Sequence, residues 1–312
     1  MDEIIPESGR PVVEEKMSNM TAVIGAGQMG SGIAQVFATA GFKVSIYDIS
    51  PQILYKSKIR IERSLARLDE KGHLEEPVEA IIGRIKFVEK MDDLADSQIF
   101  VESAFENFDI KTNILYKLAQ YLSKDSYVAS NTSSLSITSL SQMLPYPDKF
   151  IGFHFMNPPP IMQLVEVIRG YHTSDETYNY FWNLAKQLGK YPIYSKNAPG
   201  FVLNRVLIPM INEAIYALYE NISTAEHIDE ALKLGANHPI GPLALADLIG
   251  LDTVLAILKT LQKELGERNK YKPCPLLEEY VEKGFLGRKS KKGFFEYDDI
   301  AIVSKKVTRK DR

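Results

Sequence analysis

Scarcity is the first information in this chain of 312 residues. A single cysteine, Cys274, leaves no intramolecular disulfide and no thiolate metal cluster open to it. That fits a reducing compartment and predicts a cytoplasmic protein. No spacing of metal ligands occurs, and no apolar run approaches the roughly 18 residues of a spanning helix, so neither a metal nor a membrane is expected. Charge of one sign is also lacking. Lys and Arg number 37 against 40 Asp and Glu, a net charge of -3, which excludes the basic footprint that nucleic acid demands. Hydrophobic residues make up 45% and charged residues 25%, so most of the chain should fold. The length suits about two domains of roughly 150 residues. Residues 1–18 carry Asp2, Glu3, Glu7, Glu14 and Glu15 against Arg10 and Lys16. They read as a loose acidic extension, neither signal nor transit peptide, and residues 299–312 as a solvated basic tail.

What is present has a clear order. Short apolar runs, TAVI, KVSIYD, IKFV, QIFVE, YVAS, FIGFHF, LVEVI and YPIY, supply eight candidate strands, with amphipathic stretches between several of them. Such alternation predicts an α/β domain with a largely parallel, doubly wound sheet over 19–198. After KNAPGF the strand signals stop, and helices read almost continuously from Val202 to about Glu282, predicting an all-helical domain over 199–298. Within it Ser223 and Glu226 have capping-box spacing, and Gly235 follows LKL where a helix stop wants a left-handed residue.

Directly after TAVI comes GAGQMG, with Gly25, Gly27 and Gly30. The first glycine permits a tight turn, the second lets a diphosphate approach the backbone, and the third lets the next helix pack closely. Asp48 ends the second strand 18 residues beyond Gly30, where a carboxylate accepts from ribose hydroxyls and repels a 2'-phosphate. No arginine follows it, so NAD is predicted over NADP.

Alcohol oxidation by such a cofactor needs a base, and histidine is the best suited by its ordinary pKa. His73 lies in a charged turn, His172 opens a helix, His227 sits among acids, and His238 precedes a proline. His154 differs. It falls near the end of FIGFHF before the turn NPPP, and ligands of such sheets gather beyond strand carboxyl ends. Twelve residues later Glu166 interrupts the apolar LVEVI, and a proline turn between two extended segments would bring the side chains face to face. Unrelated core and edge residues are the alternative on this spacing alone. Asn131, Thr132, Ser133 and Ser134 end another strand and either hold a substrate oxygen or form a turn. Glu106 and Lys111 either contact the cofactor or begin a solvated helix. Lys56, Arg60, Arg63, Arg67 and Lys71 share a helical stripe about 80 degrees wide, opposite Ile61, Leu65 and Leu68. It suits a phosphorylated substrate such as a coenzyme A ester, or is simply a solvated face.

Taken together these strings resemble the L-3-hydroxyacyl-CoA dehydrogenases, including the 3-hydroxybutyryl-CoA dehydrogenases. The resemblance runs from about Met20 to Tyr297 and rests on GAGQMGSGIA, SNTSSL, GFHFMNPPPIMQLVEVIRG, APGFVLNR, NEAI, IDEALKLGANHPIGPLALADLIGLD and GFLGRKSKKGFFEY. It implies a Rossmann-type domain followed by a helical one, NAD as cofactor, an acyl-CoA substrate such as acetoacetyl-CoA or a longer 3-ketoacyl-CoA, and a homodimer through the helical domain. By the same resemblance His154 is the catalytic histidine and Glu166 its partner, while Ser133 and Asn204 hold the substrate. Gly25, Gly27, Gln28, Met29, Gly30, Asp48, Glu106, Lys111, Ser133 and Lys289 contact NAD, and Asn157 assists cofactor or substrate. Ser64 and Lys71 contact the coenzyme A portion. Met156, Pro159 and Gln163 stand where the family commonly has phenylalanine, valine and lysine, and Asn197 where aspartate is frequent. The first three bear on chain length, not on the reaction. The expected reaction is reversible oxidation of an (S)-3-hydroxyacyl-CoA to the 3-ketoacyl-CoA. Its rivals are oxidation of a sugar acid such as L-gulonate, against which the basic stripe argues, and a silent NAD-binding scaffold, against which the intact pair argues.

Overall fold

The structure is a computed structural model and describes residues 19–266 and 269–297. The acidic extension and the basic tail lie outside the described residues. The chain divides into two compact units, the first ending at Asn197 and the second beginning at Ala198.

The first unit is built on eight strands: β1 (Met20–Ile24), β2 (Lys43–Tyr47), β3 (Ile85–Val88), β4 (Ile99–Glu102), β5 (Tyr127–Ser130), β6 (Phe150–Phe155), β7 (Leu164–Arg169) and β8 (Tyr191–Lys196). They lie in one sheet in the order β3-β2-β1-β4-β5-β6-β7-β8. Every pairing is parallel except β6 with β7. Strands β4, β5 and β6 are buried at every position, which is why they read as unbroken apolar runs instead of alternating ones. Order reverses between β1 and β4, so their carboxyl ends flank the crevice where ligands of open α/β sheets bind.

Six helices accompany the sheet: α1 (Gln28–Thr39), α2 (Pro51–Asp69), α3 (Val78–Ile82), α4 (Phe108–Leu118), α5 (Ile137–Ser141) and α6 (Asp175–Gln187). Nearly all of α1 is buried from Gly30 to Ala38. In α2 the buried residues Leu54, Ser57, Ile61 and Leu65 form one stripe. Each of its buried aliphatic side chains contributes about 1.5–3 kcal/mol, so the opposite face is left to solvent and Lys56, Arg60, Arg63 and Arg67 are exposed. The helix stops at Asp69, which puts Lys71 in the following turn. His172 does not open a helix. Ser174 caps α6 by accepting from Thr177, and His172 lies in the bend before it.

The second unit consists of α7 (Leu203–Tyr219), α8 (Ala225–Glu230), α9 (Pro242–Ile249), α10 (Leu251–Glu264) and α11 (Pro275–Glu282), packed around Ile208, Ile211, Ile215, Leu243, Leu251, Leu258 and their neighbours. Two expectations fail here. Thr224, not Ser223, caps α8 by accepting from the His227 amide, the next residue being equally able to cap. Gly235 is not left-handed, because α8 runs on into a π-helical turn over Ala231–Gly235 and the positive φ of 56° falls on Asn237. Two buried aspartates organise this unit. Asp229 accepts from the amides of Leu243 and Ala244 at the start of α9, at 2.8 and 2.9 Å. Asp247 accepts from the amides of Phe294 and Phe295 and from the Tyr297 hydroxyl, at 3.0, 2.9 and 2.9 Å. Burial pushes the Asp247 carboxyl up despite those donors, and burial followed by Asp247 itself pushes the Tyr297 hydroxyl to about 12. Among the described residues no helix is long and apolar enough to cross a membrane.

Candidate active site

Antiparallel pairing of β6 with β7 sets His154 directly opposite Glu166. Directly opposed residues on one face of a sheet have side chains close enough to interact. Here His154 Nδ1 lies 2.7 Å from Glu166 Oε2, with Glu166 fully buried and His154 7% exposed. Two polar groups removed from water in this way must satisfy each other. The pairing engages Nδ1, so a proton passed between this ring and a ligand would travel through Nε2.

The glycine turn lies at the carboxyl end of β1. A β-carbon on Gly30 would sit 1.8 Å from the Gly25 carbonyl oxygen, and one on Gly25, whose φ is +101°, would sit 2.6 Å from the Ser103 oxygen. On Gly27 it would meet nothing within 4 Å. Gly27 is therefore the position whose missing side chain leaves open space, in front of a helix N-terminus with no side-chain cap. Amides there carry partial positive charge, so the turn fits a diphosphate. Asp48 is held by the amides of Ala26 and Ser50, each at 3.0 Å, which leaves a carboxylate with further acceptor positions beside the turn. These residues fit NAD. Arg60 is the member of the basic stripe that reaches the turn, donating to Ser31 Oγ at 2.8 Å and to the Gly27 oxygen at 3.3 Å.

Between β4 and β5 lies a polar network. Glu106 Oε1 accepts from Thr132 Oγ1 at 2.6 Å, from the amides of Ser133 and Ser134 at 2.8 and 3.1 Å, and from both serine hydroxyls at 3.1 Å. Burial opposes the charge on Glu106, but Lys111 and these donors outweigh it and hold the carboxyl below the usual carboxylate range. Lys111 does not belong to a solvated helix face, because it is only 1% exposed. Its ammonium donates to both oxygens of Glu102 at 2.8 and 2.9 Å and to the Ala104 oxygen at 3.2 Å, and lies 3.5 Å from Glu106. Asn131 Oδ1 accepts from the Phe155 amide at 2.8 Å, tying this loop to the strand of His154.

A groove of about 750 Å³ runs along α2, lined by Lys56, Arg60, Arg63, Ser64, Arg67 and Lys71 on one side and by Pro158, Pro160 and Ile161 on the other. The cations of the stripe thus share one concave surface with Ser64. The proline wall is fastened at several points: Gln28 Nε2 donates to Asn157 Oδ1 at 3.0 Å, and Lys190 donates to the oxygens of Pro159 and Met162 at 2.7 and 3.0 Å. Pro159 fills the space that a β-carbon on Gly32 would need, while Met156 is buried and Gln163 exposed. Asn197 uses both ends of its amide, accepting from the Ile137 amide and donating to Ser136 and Thr138.

The remaining residues expected at the site lie in the helical unit. Asn204 is in the first turn of α7, and Lys289, in the 3-10 turn Arg288–Ser290, pairs with Asp252 at 2.6 Å. Residue-by-residue reading missed Glu102, Lys190 and the reach of Arg60. A signal existed for Glu102: like Glu166, it is a lone carboxylate in an otherwise apolar buried strand.

Residues 20–198 match the family model for the 3-hydroxyacyl-CoA dehydrogenase NAD binding domain, and residues 200–297 match that for the C-terminal domain of the same family. The chain is similar to a probable 3-hydroxybutyryl-CoA dehydrogenase of Deinococcus radiodurans, with 51% identity covering 88% of this chain and 99% of the relative. It is similar to one from Bacillus subtilis at 49% identity, covering 89% and 96%. Among solved structures, the (S)-3-hydroxybutyryl-CoA dehydrogenase of Ralstonia eutropha superposes with a TM-score of 0.86 at 47% identity, covering 90% of this chain and all of that one.

Proposed function

The chain belongs to the 3-hydroxyacyl-CoA dehydrogenase family, and from that premise we propose how its own residues perform the reaction. It is an NAD-dependent oxidoreductase that interconverts an (S)-3-hydroxyacyl-CoA and the 3-ketoacyl-CoA. The glycine turn and Asp48 would hold NAD, which would supply the hydride acceptor for C3 in the direction of oxidation. His154 accepts the hydroxyl proton at Nε2, since Nδ1 faces Glu166, and returns it in the direction of reduction. Glu166, with no access to water, fixes the tautomer and stabilises the imidazolium. Ser133 holds the substrate oxygen. Gly25 to Gly30 cradle the diphosphate, Asp48 accepts from the ribose, and Glu106, Lys111 and Asn157 shape the cofactor side. Asn204 is assigned to the substrate and Lys289 to the cofactor.

The groove along α2 receives the phosphates of coenzyme A, with Ser64, Lys71 and the arginines as donors. The proposal includes a cytoplasmic homodimer formed through the helical unit, which exposes Val206, Leu234 and Leu248; sedimentation velocity tests the dimer. One observation carries the mechanism, the buried His154–Glu166 pair at 2.7 Å. Loss of NADH absorbance with acetoacetyl-CoA, longer 3-ketoacyl-CoAs and free acetoacetate tests the whole. Rapid turnover of the CoA esters and poor turnover of acetoacetate are expected. Equal use of free acetoacetate would remove the role of the groove, and no turnover of any CoA ester would remove the reading.

A further inference from the structure

Glu102 is fully buried and has no place in the chemistry above. A buried carboxylate facing a buried ammonium costs several kcal/mol of desolvation per ion, and apolar residues of the same volume often serve stability as well. The pair therefore invites a reason beyond stability, and its partners supply one. Glu102 Oε1 accepts from the Ala104 amide at 2.6 Å and Oε2 from Ser130 Oγ at 2.6 Å, while Ser130 Oγ in turn accepts from the Thr132 amide at 3.2 Å. Both oxygens hold the Lys111 ammonium. With the Ala104 oxygen its third partner, that ammonium is spent inside the protein and touches the site only through Glu106, 3.5 Å away. Glu106 then gathers Thr132, Ser133 and Ser134 on one oxygen.

We infer that Glu102 and Lys111 are positioning residues for the substrate side of the site: Glu102 holds the Lys111 ammonium against Glu106, and Glu106, kept ionised and in place, presents Ser133. The inference rests on the reading of Ser133 as a substrate contact. A substrate-holding donor misplaced by about an ångström through a change far from the chemistry costs on the order of 100-fold in rate, and that is the expected loss of turnover in Glu102→Gln.

Three readouts on the full-length enzyme decide it: acetoacetyl-CoA turnover, NADH affinity by fluorescence titration, and hydrogen exchange of the segment 131–135. Glu102→Gln should lower turnover by a larger factor than it weakens NADH binding, and speed exchange at the amides of Ser133 and Ser134. Because that variant strands a buried cation, Glu102→Gln with Lys111→Met is the second variant. It removes both charges, and Gln still accepts from Ala104 or Ser130. The double variant should regain thermal stability while turnover stays low, because Glu106 still lacks its cation. Recovery of turnover together with stability overturns the inference, as does loss of NADH affinity with the segment still protected, or unchanged exchange and turnover in both folded variants. If the wild-type enzyme turns over no acyl-CoA, the function reading falls, and the exchange arm still decides whether the network holds the loop.

Discussion

Each unit buries carboxylates, and they do different work. In the helical unit Asp229 and Asp247 accept from backbone amides, with the Tyr297 hydroxyl added at Asp247. Their oxygens serve amides in the first turn of α9 and in the bend at Phe294 and Phe295, which lie outside regular hydrogen-bonded ladders. In the sheet unit Glu166 faces an imidazole and Glu102 an ammonium. Burial alone does not mark a functional acid. The partner does: an amide can only donate, whereas an imidazole can take and return a proton.

The sharpest way to break that contrast is His154→Gln, which keeps size and polarity but not basicity. Turnover should fall on the order of 100-fold or more with the melting temperature little changed. Near-normal turnover in the folded variant would falsify the assignment. Asp247→Ala is the counterpart in the helical unit. It leaves three half-buried donors without that acceptor, each costing less than the roughly 1–3 kcal/mol of a fully buried one. Calorimetry should show a drop of several degrees in melting temperature, with NADH affinity of the folded fraction retained.

Two glycines give the same contrast at smaller scale. Gly27→Ala should weaken NADH binding about tenfold, the equivalent of one lost hydrogen bond to a charged group, without altering stability, because the added methyl meets no protein atom. Gly30→Ala should destabilise instead, since its methyl falls on the Gly25 carbonyl. Equal stability of the two would remove the distinction. The smallest effect is expected from Glu106. Its folded-state pKa lies below the ordinary 4.5, so the stability it contributes is complete above that value and is lost as pH falls from there through the folded-state pKa. Acid melts of Glu106→Gln should show a shallower pH dependence than the wild type.

Much of the fold could be read in advance because each signal is local. All eight strands are visible as short, mainly apolar runs, most plainly β4, β5 and β6, which are buried at every position. Cap positions were less legible: Thr224 and Asn237 took the places expected of Ser223 and Gly235, neighbours one and two residues away being chemically able to do the same job. For Lys111 the residues alone leave two readings, a cofactor contact or a solvated helix start, because a charge near the start of a helix is usually solvated. Its partner, Glu102, lies nine residues earlier on another element.

The sequence by itself determined the family, the order of elements and the glycine turn, and it singled out His154 and Glu166 as candidates, because these depend on residue type and spacing along the chain. Tertiary structure alone decided which groups meet. The register of β6 against β7 set His154 opposite Glu166, and the adjacency of β4 and β5 let one glutamate gather three neighbouring residues. The packing of α2 turned Arg60 toward the phosphate turn. Distances across a sheet are not written in spacing along a strand, since hydrogen-bond register is fixed only when the strands pair.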